Sequence, residues 1–178
     1  GGNSKMKNTN HIQKIVFTAL FAALVCVFTM VIKIPTPLGG YVNIGDCFVL
    51  LSGLYLGPIY GACAAGIGSC LADLFAGYPL YAIATFIIKF LMALVAALIF
   101  KKTSGMKFPI VGKIIGGLVA ELIMIVGYYL FSAVFLGEGF LVGLQTLPGD
   151  TAQAGMGILF AIVISEILRK SKADKIFY

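Results

Sequence analysis

The sequence predicts an all-α integral membrane protein with six transmembrane helices and cytoplasmic N- and C-termini. Three observations carry that prediction. Hydrophobic residues make up 60% of the chain and charged residues 11%, with a mean hydropathy of +1.03. A soluble domain uses about 25% charged residues to cover its surface, so the expected solvent here is lipid. Pro and Gly break the apolar sequence into six runs. At ~20 residues per helical crossing, the 178 residues hold six spans with short loops and leave no room for an ATPase or a soluble catalytic domain. Finally, the basic residues segregate. Lys5, Lys7 and Lys14 precede the first run, Lys101, Lys102, Lys107 and Lys113 surround the loop after the fourth, and Arg169, Lys170, Lys172 and Lys175 follow the sixth. Eleven of the 13 cations thus fall on one side of a six-crossing topology, with Lys33 outside and Lys89 within the membrane. Positive loops stay cytoplasmic, so the net charge of +6 is topological and calls for no nucleic acid. Contact with anionic lipid remains open.

The elements follow in order. Gly1 to Lys5 reads as an expression scar, which makes Met6 the expected start. The first helix is expected over about His11 to Ile32; it is too long for a signal-peptide core and lacks a cleavage site. A Pro/Gly loop, Lys33 to Gly45, follows. The second helix, Asp46 to Leu56, is short for a crossing and is expected to tilt or to start below the surface. Gly57-Pro58 separates it from the third, Ile59 to Ala76. Gly77-Tyr78-Pro79 turns the chain into the fourth, Leu80 to Phe100. The fifth runs from Pro109 to about Leu136, an outer segment spans Gly137 to Leu147, and the sixth covers Pro148 to Leu168.

Several chemistries are already excluded. Cys26, Cys47, Cys63 and Cys70 form no C-x-x-C motif and read as buried apolar thiols. His11, the single histidine, precedes the first span, which removes histidine-based zinc sites and Ser-His or Cys-His catalysis. No metal or other cofactor and no enzymatic activity are expected.

Ionisable residues inside a bilayer cost at least ~2.5–3.5 kcal/mol each and so point to pairing or function. Lys89 lies eleven residues from Phe100 and Glu121 eleven from Ile110, which puts both about 16 Å deep at ~1.5 Å per residue. They are expected to pair or to face a ligand together. Asp73, close to the outer turn at Gly77, is a less well matched partner for Lys89. Nearer the outer end stand Tyr41, Asn43 and Asp46, then Tyr78 and Tyr81, Tyr128 and Tyr129, and Asp150 with Gln153. Asp150 equally suits an N-cap, and the tyrosines equally suit an interfacial belt. Together, aromatic faces with a few amides and carboxylates suit a small planar polar ligand. Small-residue stripes mark close helix packing: Ala19 and Ala23, then Gly61, Ala65 and Ser69, then Gly112 and Gly116. The first pair is the one expected to face another subunit.

Between Tyr41 and Ile99 the chain carries V-N-x-G-D from Val42, L-G-P-x-x-G from Leu56, G-S-x-L-A-D-L from Gly68, G-Y-P from Gly77 and I-I-K from Ile87. MIVGYY and LPGDTAQAGMG follow on the fifth and sixth helices. In this order the motifs resemble the substrate-binding (S) components of energy-coupling factor (ECF) transporters, closest to the branch for hydroxymethylpyrimidine and pyridoxine. The departures are Asp150 in place of an amide, Phe90 and Met92 after Lys89, and Ser132 after the tyrosine pair. The resemblance implies six helices in a bacterial cell membrane with an outward pocket under a loop. It also implies a vitamin ligand, a membrane coupling subunit docked partly on the Ala19–Ala23 stripe, and two cytoplasmic ATPases. Asp150 favours pyridoxine. Two other classes stay in view: a self-sufficient secondary transporter with a proton relay at the Lys89–Glu121 level, and an intramembrane enzyme, for which no G-x-S-x-G or metal-ligand set exists.

Overall fold

Among the described residues, five helices are long and apolar enough to cross a membrane: His11–Val31, Gly45–Ala76, Pro79–Thr103, Pro109–Phe135 and Leu144–Lys170. The computed structural model describes residues 2–31, 33–35, 41–105, 108–137 and 139–177. The expected Pro/Gly loop centre, including Pro37, Gly39 and Gly40, lies outside them.

The first helix, α1, runs over Gly2–Val31, so it starts earlier than expected. Hydropathy marks the part that suits lipid, whereas helical hydrogen bonds continue through the polar turns before His11. Phe21, Ala22, Val25, Cys26 and Thr29 form its buried face. A short ribbon follows that the sequence did not announce: β1, Lys33–Pro35, pairs antiparallel with β2, Tyr41–Asn43, in the register Lys33↔Asn43. Three-residue strands are too short to display a period of two.

The second helical element, α2, spans Gly45–Ala76, but its backbone leaves the helix at Gly57, where φ is 78° and ψ −174°. That conformation belongs almost solely to glycine, and Pro58 is pre-set to restart a helix while lacking the N–H that would continue the old one. The chain reverses here. A Cβ on Gly61 would lie 2.5 Å from the Ser52 carbonyl oxygen and 2.8 Å from Gly53 Cα, although eight helical residues would separate Gly53 and Gly61 by ~12 Å. The Ser52 hydroxyl donates to the Gly61 carbonyl at 3.0 Å across the same contact. The two limbs, 45–56 and 58–76, therefore lie side by side, as the Gly57-Pro58 break implied. The second limb stops at Gly77, whose left-handed φ of 85° and ψ of 21° end the helix. There the Tyr78 amide donates to the Asp73 carbonyl at 2.8 Å, closing a Schellman turn.

Helix α3 covers Pro79–Thr103 and α4 Pro109–Leu130, each with Pro in its first turn. Gly112 and Gly116 of α4 face Thr103 and Phe100 of α3, so that stripe serves internal packing. A π-helical turn over Phe131–Phe135 extends α4, its Leu136 amide donating to the Phe131 carbonyl at 3.0 Å. The outer segment expected as irregular is mostly helical: α5, Phe140–Gly143, and a 3-10 turn, Leu144–Thr146, run directly into α6, Leu147–Lys170. A final 3-10 turn, Ala173–Phe177, folds Phe177 back against Phe17, Phe21 and Tyr55. The core, built of small and aliphatic residues such as Val25, Leu50, Ala62, Ala93, Met92 and Met124, centres on α2.

Candidate functional site

The charged and amide side chains expected at two depths converge into one buried cluster. Asp46, in the first turn of α2, is 1% exposed and forms an ion pair with Lys89, ten residues into α3 and 4% exposed. The second Asp46 oxygen accepts from Gln153 Nε2 at 2.6 Å. The Gln153 carbonyl oxygen accepts from the Asn43 backbone amide at 3.0 Å and from its side-chain amide at 3.1 Å. Asn43 Oδ1 in turn caps the Gly45 amide at 2.8 Å. The ammonium of Lys89 also lies 5.5 Å from the centre of the Tyr128 ring, a cation–π distance. Tyr128 itself donates to Thr85 Oγ1 at 3.1 Å. Thus β2, α2, α3, α4 and α6 each supply a member.

Glu121 is the exception. It is 2% exposed, and among the described residues neither of its carboxylate oxygens has a hydrogen-bond partner. A Cβ at Gly157 would lie 2.8 Å from Glu121 Oε1 and 3.0 Å from Asp46 Cβ, so both acidic side chains press on the space that this glycine leaves. An unsatisfied buried carboxyl is expensive, and this one borders an existing charged cluster.

The direct pairing open to Lys89 and Glu121, and the less well matched one with Asp73, give way to another: Asp46 holds Lys89. The reason is geometric. Asp46 stands eleven residues from the reversal at Gly57 and Lys89 eleven from Phe100, so both lie ~16 Å from the same end of the bundle. Counting Asp46 from the outer loop conceals that match. Asp73 is buried further along, in the last turn of α2's second limb.

Asp150 is not an N-cap. Because the 3-10 turn runs straight into α6, the helix begins three residues earlier, and Asp150 accepts from Thr146 Oγ1 at 2.9 Å inside the first turn. The remaining tyrosines form separate aromatic contacts. Tyr78 meets Tyr81 edge-on at 6.4 Å, Tyr81 meets Phe131 at 5.3 Å, and Tyr129 meets Phe140 at 6.2 Å. The Tyr41 side chain lies outside the described residues. Two contributors escaped the sequence reading: Thr85, and Met124, whose sulfur receives Gln153 Nε2 at 3.2 Å. Thr85 is four residues before Lys89 and Met124 three after Glu121, spacings that place each on the functional face of its helix.

Fold and cluster together define a polytopic, predominantly helical membrane protein that buries a charged, amide-bearing centre among its helices. The family model for the ECF-type riboflavin transporter S component matches residues 9–170. A protein of Pyrococcus woesei, described only as an uncharacterized protein in a gap 3′ region, is 35% identical over 147 residues, covering 82% of this chain and 95% of that protein. A solved structure described as the S component of a bacterial ECF transporter superposes with a TM-score of 0.69 at 22% identity, covering 91% of this chain and 99% of that one. The chain belongs to the family of ECF-type riboflavin transporter S components. The motif resemblance therefore named the transporter class rightly. Its narrower placement in the hydroxymethylpyrimidine and pyridoxine branch has no counterpart in these matches.

Proposed function

We propose that this chain is the vitamin-capturing subunit of an ECF importer in the cell membrane. It catalyses no reaction itself and works with a membrane coupling subunit and two cytoplasmic ATPases. The observation that supports this most is the buried Asn43–Gln153–Asp46–Lys89 network, which ties the end of the β-ribbon to three helices. A polar centre of this kind costs more than an apolar core, which is why buried charges in a membrane point to a task. A ligand arriving from the ribbon side would exchange its own donors and acceptors for the internal ones, with Glu121 offering two further acceptor oxygens. The candidate contact set is Asn43, Asp46, Lys89, Glu121, Tyr128 and Gln153, with Asp73, Tyr78, Tyr81, Tyr129, Asp150 and Tyr41 as outer members.

Riboflavin is the first ligand to test, because the family carries that name. The imide edge of a flavin alternates carbonyl acceptors with an N–H donor, and amides beside an ammonium and a carboxylate complement such an edge. Pyridoxine is the second reading: Asp150 and Asp46 could each accept from a protonated ring nitrogen. Calorimetry on the solubilised protein, with mass spectrometry of molecules released on denaturation, decides between them. Tight binding of riboflavin, weakened about tenfold or more by Gln153→Leu, is expected. Binding of pyridoxine or hydroxymethylpyrimidine alone would reassign the ligand, and a protein that binds and releases no vitamin would overturn the capture role.

We also propose six crossings with both termini inside, a reading that the reversal at Gly57 and the distribution of cations support. Single-cysteine variants at Ser104 and Leu141, in a background lacking the four native cysteines, test this in intact cells. Outside labelling of the Leu141 position alone is expected; labelling at Ser104 would refute the topology.

A further inference from the structure

The far end of the bundle carries a second polar feature that vitamin capture does not use. A cavity of about 180 Å³ opens where α3 ends, α4 begins, α6 ends and α2 reverses. Its polar wall is made by Thr103, Ser104, Lys113, Ser165, Arg169 and Asp174, and its apolar wall includes Leu54 and Phe100. A shallow, almost wholly apolar groove of about 10 Å³ adjoins it, sharing Leu54, Phe100 and Lys113 and lined further by Leu50, Ile158 and Ile162; it has room for little more than a water-sized group.

The cations at the mouth are held in place. Lys113 Nζ reaches Ser165 Oγ at 3.0 Å and Glu166 Oε1 at 2.9 Å. Arg169 grips the other Glu166 oxygen through Nε at 2.9 Å and Nη2 at 2.5 Å. One carboxylate is thus shared by two cations. Asp174 lines the cavity, and Lys101 and Lys102 in the last turn of α3 are exposed beside it. Four cations against two carboxylates leave this mouth positive. Thr103, Pro109 and Arg169 lie within a turn of their helix ends, where a bilayer places its headgroups.

We propose that this cavity is a binding site for an anionic membrane phospholipid, with the phosphate at Lys113, Arg169 and Ser104 and an acyl chain leaving over the apolar wall of Leu54 and Phe100. The chemistry that recognises the ligand is a phosphate joined to a hydrocarbon tail. A free phosphate would use the cations and leave the apolar wall of Leu54 and Phe100 without a partner, whereas a lipid meets both. Basic pockets between transmembrane helices at the headgroup level recognise such lipids in general, and prior anchoring of Lys113 lowers the ordering cost of binding.

The test uses the full chain in detergent and native mass spectrometry, with phosphatidylglycerol and phosphatidylcholine of identical acyl chains, and inorganic phosphate at equal concentration. Selective retention of phosphatidylglycerol, with a raised unfolding temperature, is expected. Arg169→Gln and Ser104→Glu should each cut that retention about fivefold, the effect of roughly one charge at a membrane surface. Ser104→Glu adds charge without removing a tertiary contact among the described residues, since Ser104 Oγ donates to the Lys101 carbonyl of the helix it caps, at 2.9 Å. Folding of both variants is checked by thermal unfolding in phosphatidylcholine. Equal retention of the two lipids would show unspecific coating, and equal stabilisation by phosphate alone would show a soluble-anion site; either result overturns the proposal. So would unchanged phosphatidylglycerol retention in the folded Ser104→Glu variant.

Discussion

Lys89→Met is expected to destabilise the ligand-free protein by about 3–5 kcal/mol, because it leaves the Asp46 carboxylate buried without its counter-charge. Asp46 is 1% exposed and Lys89 4%, so water cannot take over the lost interaction. Asp46→Asn should cost clearly less. The amide still accepts from Gln153, and the Lys89 ammonium keeps a second carboxyl within its surroundings, that of Glu121. The double variant Asp46→Asn/Lys89→Met should regain most of the loss, since both charges go together. Thermal unfolding of the four proteins in one detergent measures this. A Lys89→Met protein as stable as the parent would mean that the pair is not formed in solution. If the double variant were as unstable as the single one, the loss would come from lysine packing and not from charge.

The second large effect concerns a surface. Ala19 and Ala23 are exposed on α1, whereas Phe21, Ala22, Val25 and Cys26 make its inward face. Gly68 of α2 comes up against the Ala22 carbonyl on that inward side, so α1's tight contact with its own bundle does not use the alanine stripe. Ala19→Leu/Ala23→Leu is therefore expected to abolish ATP-driven uptake in cells that co-express the coupling subunit and ATPases. Close approach between helices depends on small residues, and two leucines force them apart. Ligand affinity of the purified variant should stay within about threefold of the parent, because no cluster residue touches that face. Equal loss of binding and uptake would assign the stripe to internal packing. Normal uptake would assign it to lipid.

How much of this was legible in the sequence differs by element. The breaks at Gly57-Pro58 and Gly77-Tyr78-Pro79 were readable because glycine and proline act through their own backbone geometry, which needs no tertiary context. The membrane class was readable because composition alone sets it. The partner of Lys89 was not. Depth along the helix places Lys89, Glu121 and Asp73, whereas Asp46 reads as an outer residue simply because it follows the Pro/Gly loop. Its true level is set by the short limb that rises from Gly57, and the expected shortness of that helix already contained the answer. Asp150 was misplaced for another reason: α6 continues an irregular turn instead of starting at Pro148, and no residue in Leu144–Thr146 signals that continuity. Thr85 and Met124 were visible as helical neighbours of Lys89 and Glu121 but carried no charge to draw notice. Specificity among vitamins depends on how the side chains meet, which neither motif order nor hydropathy encodes.

The place of Gln153 in the chain has a consequence for biogenesis. Its bonds to Asn43 and Asp46 span 110 and 107 residues, whereas the α1–α2, α2–α3 and α3–α4 contacts join neighbours in sequence. Contacts of short loop length close early and those of long loop length late. A nascent chain released from the ribosome before α6 could already join Asp46 to Lys89, yet Asn43 and one Asp46 oxygen would still lack the amide that satisfies them. Capture competence is therefore acquired only once α6 docks and brings Gln153 to the network. Until then the unfinished bundle exposes an unsatisfied acid and amide, a signature by which membrane quality control could tell an incomplete subunit from a finished one.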